Sequence, residues 1–122
     1  MVWKVIFHRD FIAEFEELSV LVQNEIAAMA LLLEEVGPAL RRPHADTLNG
    51  SRFANMKELR FDADDGVWRL SYAFDPDRKA ILLVAGDKSG TSSKRFYRSL
   101  IAKADARFEF HLGELKSRSI KK

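Results

Sequence analysis

Two turn-forming connectors decide what this chain can fold into. Between Phe53 and Lys88, three strand-like runs, Asn55–Asp62, Val67–Phe74 and Lys79–Ala85, are separated by Ala63-Asp64-Asp65-Gly66 and Asp75-Pro76-Asp77-Arg78. Glycine supplies positive φ, proline presets φ, and aspartate bonds its own backbone, so both connectors read as tight turns. Two successive hairpins make a three-stranded antiparallel meander. Successive strand side chains point to opposite faces. Leu59 and Phe61 therefore share one face of the first strand, and Glu58, Arg60 and Asp62 take the other. In the second, Trp68, Leu70, Tyr72 and Phe74 line the apolar face, with Val67, Arg69, Ser71 and Ala73 on the reverse. Closing the first turn pairs Asp62 with Val67. That register sets Phe61 against Trp68, Leu59 against Leu70, and Arg60 against Arg69. Two arginines directly opposite repel each other, so the sheet calls for an anion between them. Pairing Phe74 with Lys79 would put Leu82 and Val84 on the Arg69 face, under some apolar cover.

The remaining segments supply helices. Trp3–His8 reads as a short strand joining the meander, with Trp3, Val5 and Phe7 on one face. Asp10 can cap a helix over Phe11–Ser19, whose Phe11, Phe15 and Leu18 form an apolar stripe. Glu14, Glu16 and Glu17 take its wet side. A second helix spans Val20–Val36, with Val22, Ile26, Met29, Leu33 and Val36 inward and Gly37-Pro38 as its stop. Together they form an αα-hairpin on the sheet. Leu31-Leu32-Leu33 is wider than one stripe needs, and core packing or a partner-binding face would account for it. Ala39–Arg52 reads as a polar connector. The loop Gly86–Ser93 lacks the Walker spacing and leads into the cap of a last helix, Ser93–Leu112. Its stripe is Tyr97, Ile101, Ala104, Phe108 and Leu112, while Lys94, Arg95, Arg98, Lys103 and Arg107 crowd its first turns. The expected fold is α+β, one domain over residues 1–113, with a frayed basic tail over 114–122.

Composition narrows the function classes. There are no cysteines, which removes disulfides and thiolate metal sites and fits a reducing, cytoplasmic setting. No apolar run is long enough to span a membrane, and no signal peptide is read. The three histidines lie far apart with no helical pairing, so no metal site and no cofactor is assigned. Charge is polarised: residues 1–50 hold four basic against eight acidic side chains, and residues 51–122 sixteen against ten. A basic second half suits an anionic partner such as nucleic acid, or a solvated helix and tail.

At this point the sequence resembles the RelE/ParE toxin superfamily, in its HigB-like, phage-derived branch. The resemblance rests on L-N-G-S (Leu48–Ser51), M-K-E-L-R-F (Met56–Phe61), D-G-V-W-R-L-S-Y-A-F (Asp65–Phe74), A-I-L-L-V-A-G-D-K (Ala80–Lys88), K-R-F-Y (Lys94–Tyr97) and A-D-x-R-F (Ala104–Phe108). It implies the toxin of a type II toxin–antitoxin module, an mRNA endonuclease that works without metal, commonly on the ribosome. It also implies a cognate helix-turn-helix antitoxin, gripping the helical hairpin or the basic face. The implied catalytic positions are Arg60, Arg69, Lys88 and Tyr97. Lys57, Lys94, Arg95 and, on the same basic run, Arg98 are implied to bind RNA. Gly86-Asp87-Lys88 departs from the branch, which often carries a Lys-Lys pair there.

The implied chemistry suits those residue types. RNA cleaves when its 2′-hydroxyl attacks the adjacent phosphorus, so the protein need only orient the strand, stabilise the charged transition state and move protons. Arginine binds phosphate oxygens through a planar fork, and a lysine or Tyr97 can move protons. The competing expectations are a ParE-like inhibitor of DNA gyrase that cuts nothing, and a degenerate module that binds nucleic acid or a partner. Both gain if Arg60, Arg69 and Lys88 are dispersed or buried in ion pairs.

Overall fold

A computed structural model describes residues 2–120, with side chains through Arg118. The chain runs β1 (Val5–Phe7), α1 (Arg9–Glu16), α2 (Val20–Val36), a 3-10 turn over Gly37–Ala39, β2 (Ala45–Thr47), β3 (Lys57–Ala63), β4 (Gly66–Phe74), β5 (Ala80–Asp87) and α3 (Ser93–Ile120). The five strands form one sheet in the order β1-β5-β4-β3-β2. All neighbours are antiparallel except β1, which pairs parallel with β5. The α1–α2 hairpin covers one face of the sheet and α3 the other, so the sheet is the middle of three layers.

The first hairpin follows the alternation. Asp62 pairs with Val67, Phe61 with Trp68, Leu59 with Leu70, and Arg60 with Arg69. The turn is tighter than a four-residue loop, because Ala63 pairs with Gly66. Positive φ falls on Asp64 (49°) and Asp65 (60°), as a two-residue primed turn requires, and not on the glycine. Gly66 answers a different need. A Cβ there would lie 2.7 Å from the Trp68 indole nitrogen and 2.8 Å from a carboxylate oxygen of Asp87.

The second hairpin corrects the expected register. Phe74 pairs with Ala80, not Lys79, and the pairing shifts between Ser71, opposite Val84, and Tyr72, opposite Leu82. Leu83 is the extra residue of this β-bulge, which bends the strand and re-aims its side chains. Leu82 consequently joins the hairpin-side core, away from Arg69, while Leu83 and Val84 both pack under α3. The apolar cover over Val84 is the Leu100, Ala104 and Phe108 face of that helix.

The helices are anchored by local chemistry. His8, not Asp10, caps α1, its Nδ1 accepting from the Asp10 backbone N–H at 3.1 Å. Ser19 caps α2. Gln23 Nε2 donates to the carbonyls of Phe15 and Leu18 at 2.9 and 3.0 Å, holding the two helices together. Gly37 ends α2 with φ 65°, where a Cβ would meet the Trp3 ring at 2.3 Å. Within the leucine run, Leu33 is buried and Leu31 is 64% exposed, so core packing accounts for part of it.

Three further differences matter. The connector Ala39–Arg52 contains an edge strand, β2, too short and polar to show alternation. Glu14 is not simply solvated. It takes both Arg107 guanidinium nitrogens, at 2.8 and 2.6 Å, and Arg107 also donates to the Leu83 carbonyl. Finally, α3 does not stop at Leu112. It continues to Ile120, through most of the stretch expected to fray, and Lys121 and Lys122 lie outside the described residues.

Candidate nucleic-acid interface

β3, β4 and the first turns of α3 build one polar network on the α3 side of the sheet. The cross-strand pair Arg60–Arg69 is placed by the first hairpin. The anion it calls for comes from the chain itself. Glu58, one alternation before Arg60, is buried with its side chain only 5% exposed. Its Oε2 pairs with Arg60 Nη1 at 3.1 Å, and its Oε1 lies 3.9 Å from Arg69 Nε. Tyr97 reaches down from α3, and its hydroxyl donates to Glu58 Oε1 at 2.9 Å while accepting from Arg69 Nε at 3.2 Å. Arg69 Nη1 donates to the Trp68 carbonyl. A carboxylate held by two guanidinium groups and a phenol is well compensated for its burial. Burial, then the hydrogen bond to Glu58, raises the Tyr97 hydroxyl above its ordinary range, so the phenol is neutral at pH 7.

The network opens on a concavity of about 410 Å³. Glu58 and Arg60 form its floor; Ser93, Lys94 and Tyr97 of α3 form one wall; Arg42, Asp46 and Asn49, from β2 and its flanks, form the other. Asp46 stands directly opposite Glu58 across β2–β3. The two acids would repel, but Asp46 turns to Arg42, at 2.7 Å from Nη2, and to the Thr47 N–H. The Arg42 hydrogen bond, then that of Thr47, holds the Asp46 carboxyl below its ordinary value. Arg60 is the arginine of the network that reaches solvent, its side chain 29% exposed against 7% for Arg69.

The sequence-derived site residues thus divide. Arg60, Tyr97 and Lys94 line this hollow. Arg69 lies behind it, buried and hydrogen-bonded to Tyr97. Lys88 follows β5, its N–H bonded to the Val67 carbonyl, and does not line the hollow. Lys57 lies on the opposite face, sharing the parity of Leu59. Arg95 borders a separate hollow with Gly86, Phe96 and Lys103, and Arg98 is exposed further along α3. Asp87 is engaged by its own chain. It accepts from the Val67 N–H and from the Ser89 N–H and hydroxyl, and that Ser89 hydroxyl bond leads the effects that lower its carboxyl. Sequence reading missed Glu58 as a participant, and Arg42, Asp46 and Asn49 as a wall. Arg60's pairing with Glu58 was open to it as a surface ion pair; the burial supplied by α3 was not visible.

Comparison with known proteins decides the family. Residues 13–109 match the family described as phage derived protein Gp49-like. The chain belongs to that family. It is 53% identical over 78 residues to the protein of Mycobacterium tuberculosis named as toxin HigB3, covering 64% of this chain and 66% of that one. It is 46% identical over 84 residues to the one named as toxin HigB2 from the same organism, covering 68% and 41%. The match therefore spans under two thirds of either relative. In fold, it resembles an arginine double mutant of Escherichia coli toxin RelE in the free state, with a TM-score of 0.60, 14% identity, and coverage of 84% of this chain and 97% of that one. No described helix is long and apolar enough to cross a membrane.

Proposed function

We propose that this Gp49-like chain is the toxin of a type II toxin–antitoxin module, acting in the cytoplasm as a metal-independent endonuclease on mRNA, with the ribosome presenting the strand. The observation that carries this reading is Arg60, a partly exposed guanidinium on the floor of a hollow whose walls add Lys94 and Tyr97. On this reading the RNA backbone lies in the hollow. Arg60 exchanges its contact with Glu58 for the scissile phosphate and stabilises the charge of the five-coordinate transition state. Lys94 steers the neighbouring phosphates. Arg69 acts from behind, holding Tyr97 and Glu58 in place. Lys88, Arg95 and Arg98, outside the hollow, would contact flanking RNA or ribosomal RNA, while Lys57 is best read as the rim of the apolar face. The partner is a cognate helix-turn-helix antitoxin.

One observation favours a second reading, a gyrase inhibitor or a binding module without catalysis. Glu58 neutralises part of the basic floor, and Arg69 is withdrawn from solvent. Mapping mRNA ends on ribosomes after induction, with gyrase assayed in parallel, separates the two. New mRNA ends that disappear in folded Arg60→Ala support the endonuclease. Intact mRNA with disturbed DNA topology supports the inhibitor.

A further inference from the structure

We propose that Glu58 is the proton sink of the cleavage reaction, a positioning residue that receives the proton of the RNA 2′-hydroxyl through the phenol of Tyr97. The inference rests on the endonuclease reading above and adds the route of the proton.

The direction of the hydrogen bonds carries the argument. An ionised carboxylate can only accept, so the single hydrogen of Tyr97 points at Glu58 Oε1, 2.9 Å away. Arg69 Nε donates to the same phenol oxygen at 3.2 Å. Tyr97 also lines the hollow. What it can offer an incoming RNA is therefore a lone pair, not a proton. A 2′-hydroxyl in the hollow can donate to that lone pair, and the phenol can pass its own hydrogen to Glu58. A neutral phenol at rest suits this relay, whereas a resident phenolate would not need Glu58. Arg69, bonded to the phenol oxygen, stabilises the negative charge that passes through it.

The other groups facing Glu58 complete the design. Arg60 holds Oε2 at rest. Turning Arg60 to the phosphate frees Oε2 of that donor. Asp46, opposite on β2, is engaged by Arg42 and does not share the proton. Lys94 is the remaining charged side chain on the α3 wall. The step balances. The 2′-oxygen loses its proton to Tyr97 and forms a bond to phosphorus, while Tyr97 passes its hydrogen to Glu58. The bond from phosphorus to the 5′-oxygen breaks, and that oxygen takes a proton from water at the open mouth. A 2′,3′-cyclic phosphate and a 5′-hydroxyl result, and Glu58 returns its proton to water.

The test follows cleavage of an end-labelled mRNA, free and on programmed ribosomes, from pH 5 to 8. It compares wild type, Glu58→Gln, Tyr97→Phe and the double variant. Each single change should slow cleavage by about 100-fold or more, the usual worth of a placed proton acceptor. The double variant should be no slower than the worse single one, since both break one relay. Any rise in rate with pH found for wild type should be absent in both single variants. Binding of the same RNA with a 2′-deoxy sugar at the cut site should change by less than about threefold, since cation contacts dominate affinity. Wild-type-like cleavage by Glu58→Gln overturns the proposal. So does slow cleavage with an unchanged pH profile and additive losses, which would mark Glu58 as structural. If Glu58→Gln does not fold, Tyr97→Phe alone decides: retention of the wild-type pH profile overturns it. Should wild type cut no RNA, the endonuclease reading fails first and this route with it.

Discussion

Arg60 and Arg69 face each other across two strands yet have different tasks. Arg60→Ala removes a partly exposed cation from the hollow and leaves the fold its remaining partners. Cleavage should fall by about 100- to 1,000-fold, the loss seen when one charge-stabilising donor is deleted. Its thermal melt should fall less than that of Arg69→Ala, since Arg60 is the more exposed of the two and Glu58 keeps the Tyr97 hydrogen bond. Arg69→Ala should differ in kind. It strips Tyr97 of a donor and the buried Glu58 of a neighbouring cation 3.9 Å away, one that is itself 7% exposed. A loss of about 2–4 kcal/mol in urea unfolding should accompany the loss of activity, as when one partner of a buried charge pair is deleted. Equal stability for the two variants would contradict this division. The pairing of these arginines was legible because alternation and a short turn leave little freedom of register. Glu58 was not, because alternation alone assigns it to a polar face. Its burial comes from Tyr97, 39 positions away in the chain.

At the scale of elements, α3 is held at several levels, among them Tyr97 at its start and Arg107 further along. Arg107 clamps Glu14 of α1 and the Leu83 carbonyl on the bulge of β5. It thereby ties together layers on opposite sides of the sheet. Its hydrogen bond to Glu14 is the main effect raising the Arg107 guanidinium, and the same bond holds the Glu14 carboxyl low. Arg107→Ala should cost about 1–2 kcal/mol in urea unfolding, discounted because Glu14 is 42% exposed and can return to water. The α1 cap adds a pH dependence. Burial, outweighing the nearby Asp10 carboxylate, lowers His8 below 6.5. The unfolded chain then binds a proton that the folded one refuses. This contribution is full above pH 6.5 and is lost as the pH falls through the lower folded value. Melts between pH 7.5 and 5 should show a steeper loss for wild type than for His8→Asn, which keeps a cap acceptor. Parallel curves would contradict it. The helices themselves were readable from their stripes and stops. β2 and the bulge were not, since three residues are too few to show a period and a one-residue insertion leaves no mark in composition.

Across the whole molecule, three layers set a basic hollow at one end of the sheet, between β2, β3 and the start of α3. The acidic first half of the chain forms the covering hairpin on the other face. Element order could be read from turns and periodicity; the parallel edge strand could not, because its partner lies more than seventy residues away. The central claim is that this hollow cuts RNA by the strand's own 2′-hydroxyl. The most direct measurement is the chemistry of the ends left on a ribosome-bound mRNA, incubated with purified protein and a chelator. The account predicts 5′-hydroxyl and 2′,3′-cyclic phosphate ends from wild type, and about 100- to 1,000-fold fewer from Arg60→Ala. Uncut mRNA, ends bearing a 5′-phosphate, or cleavage undiminished in Arg60→Ala would contradict it.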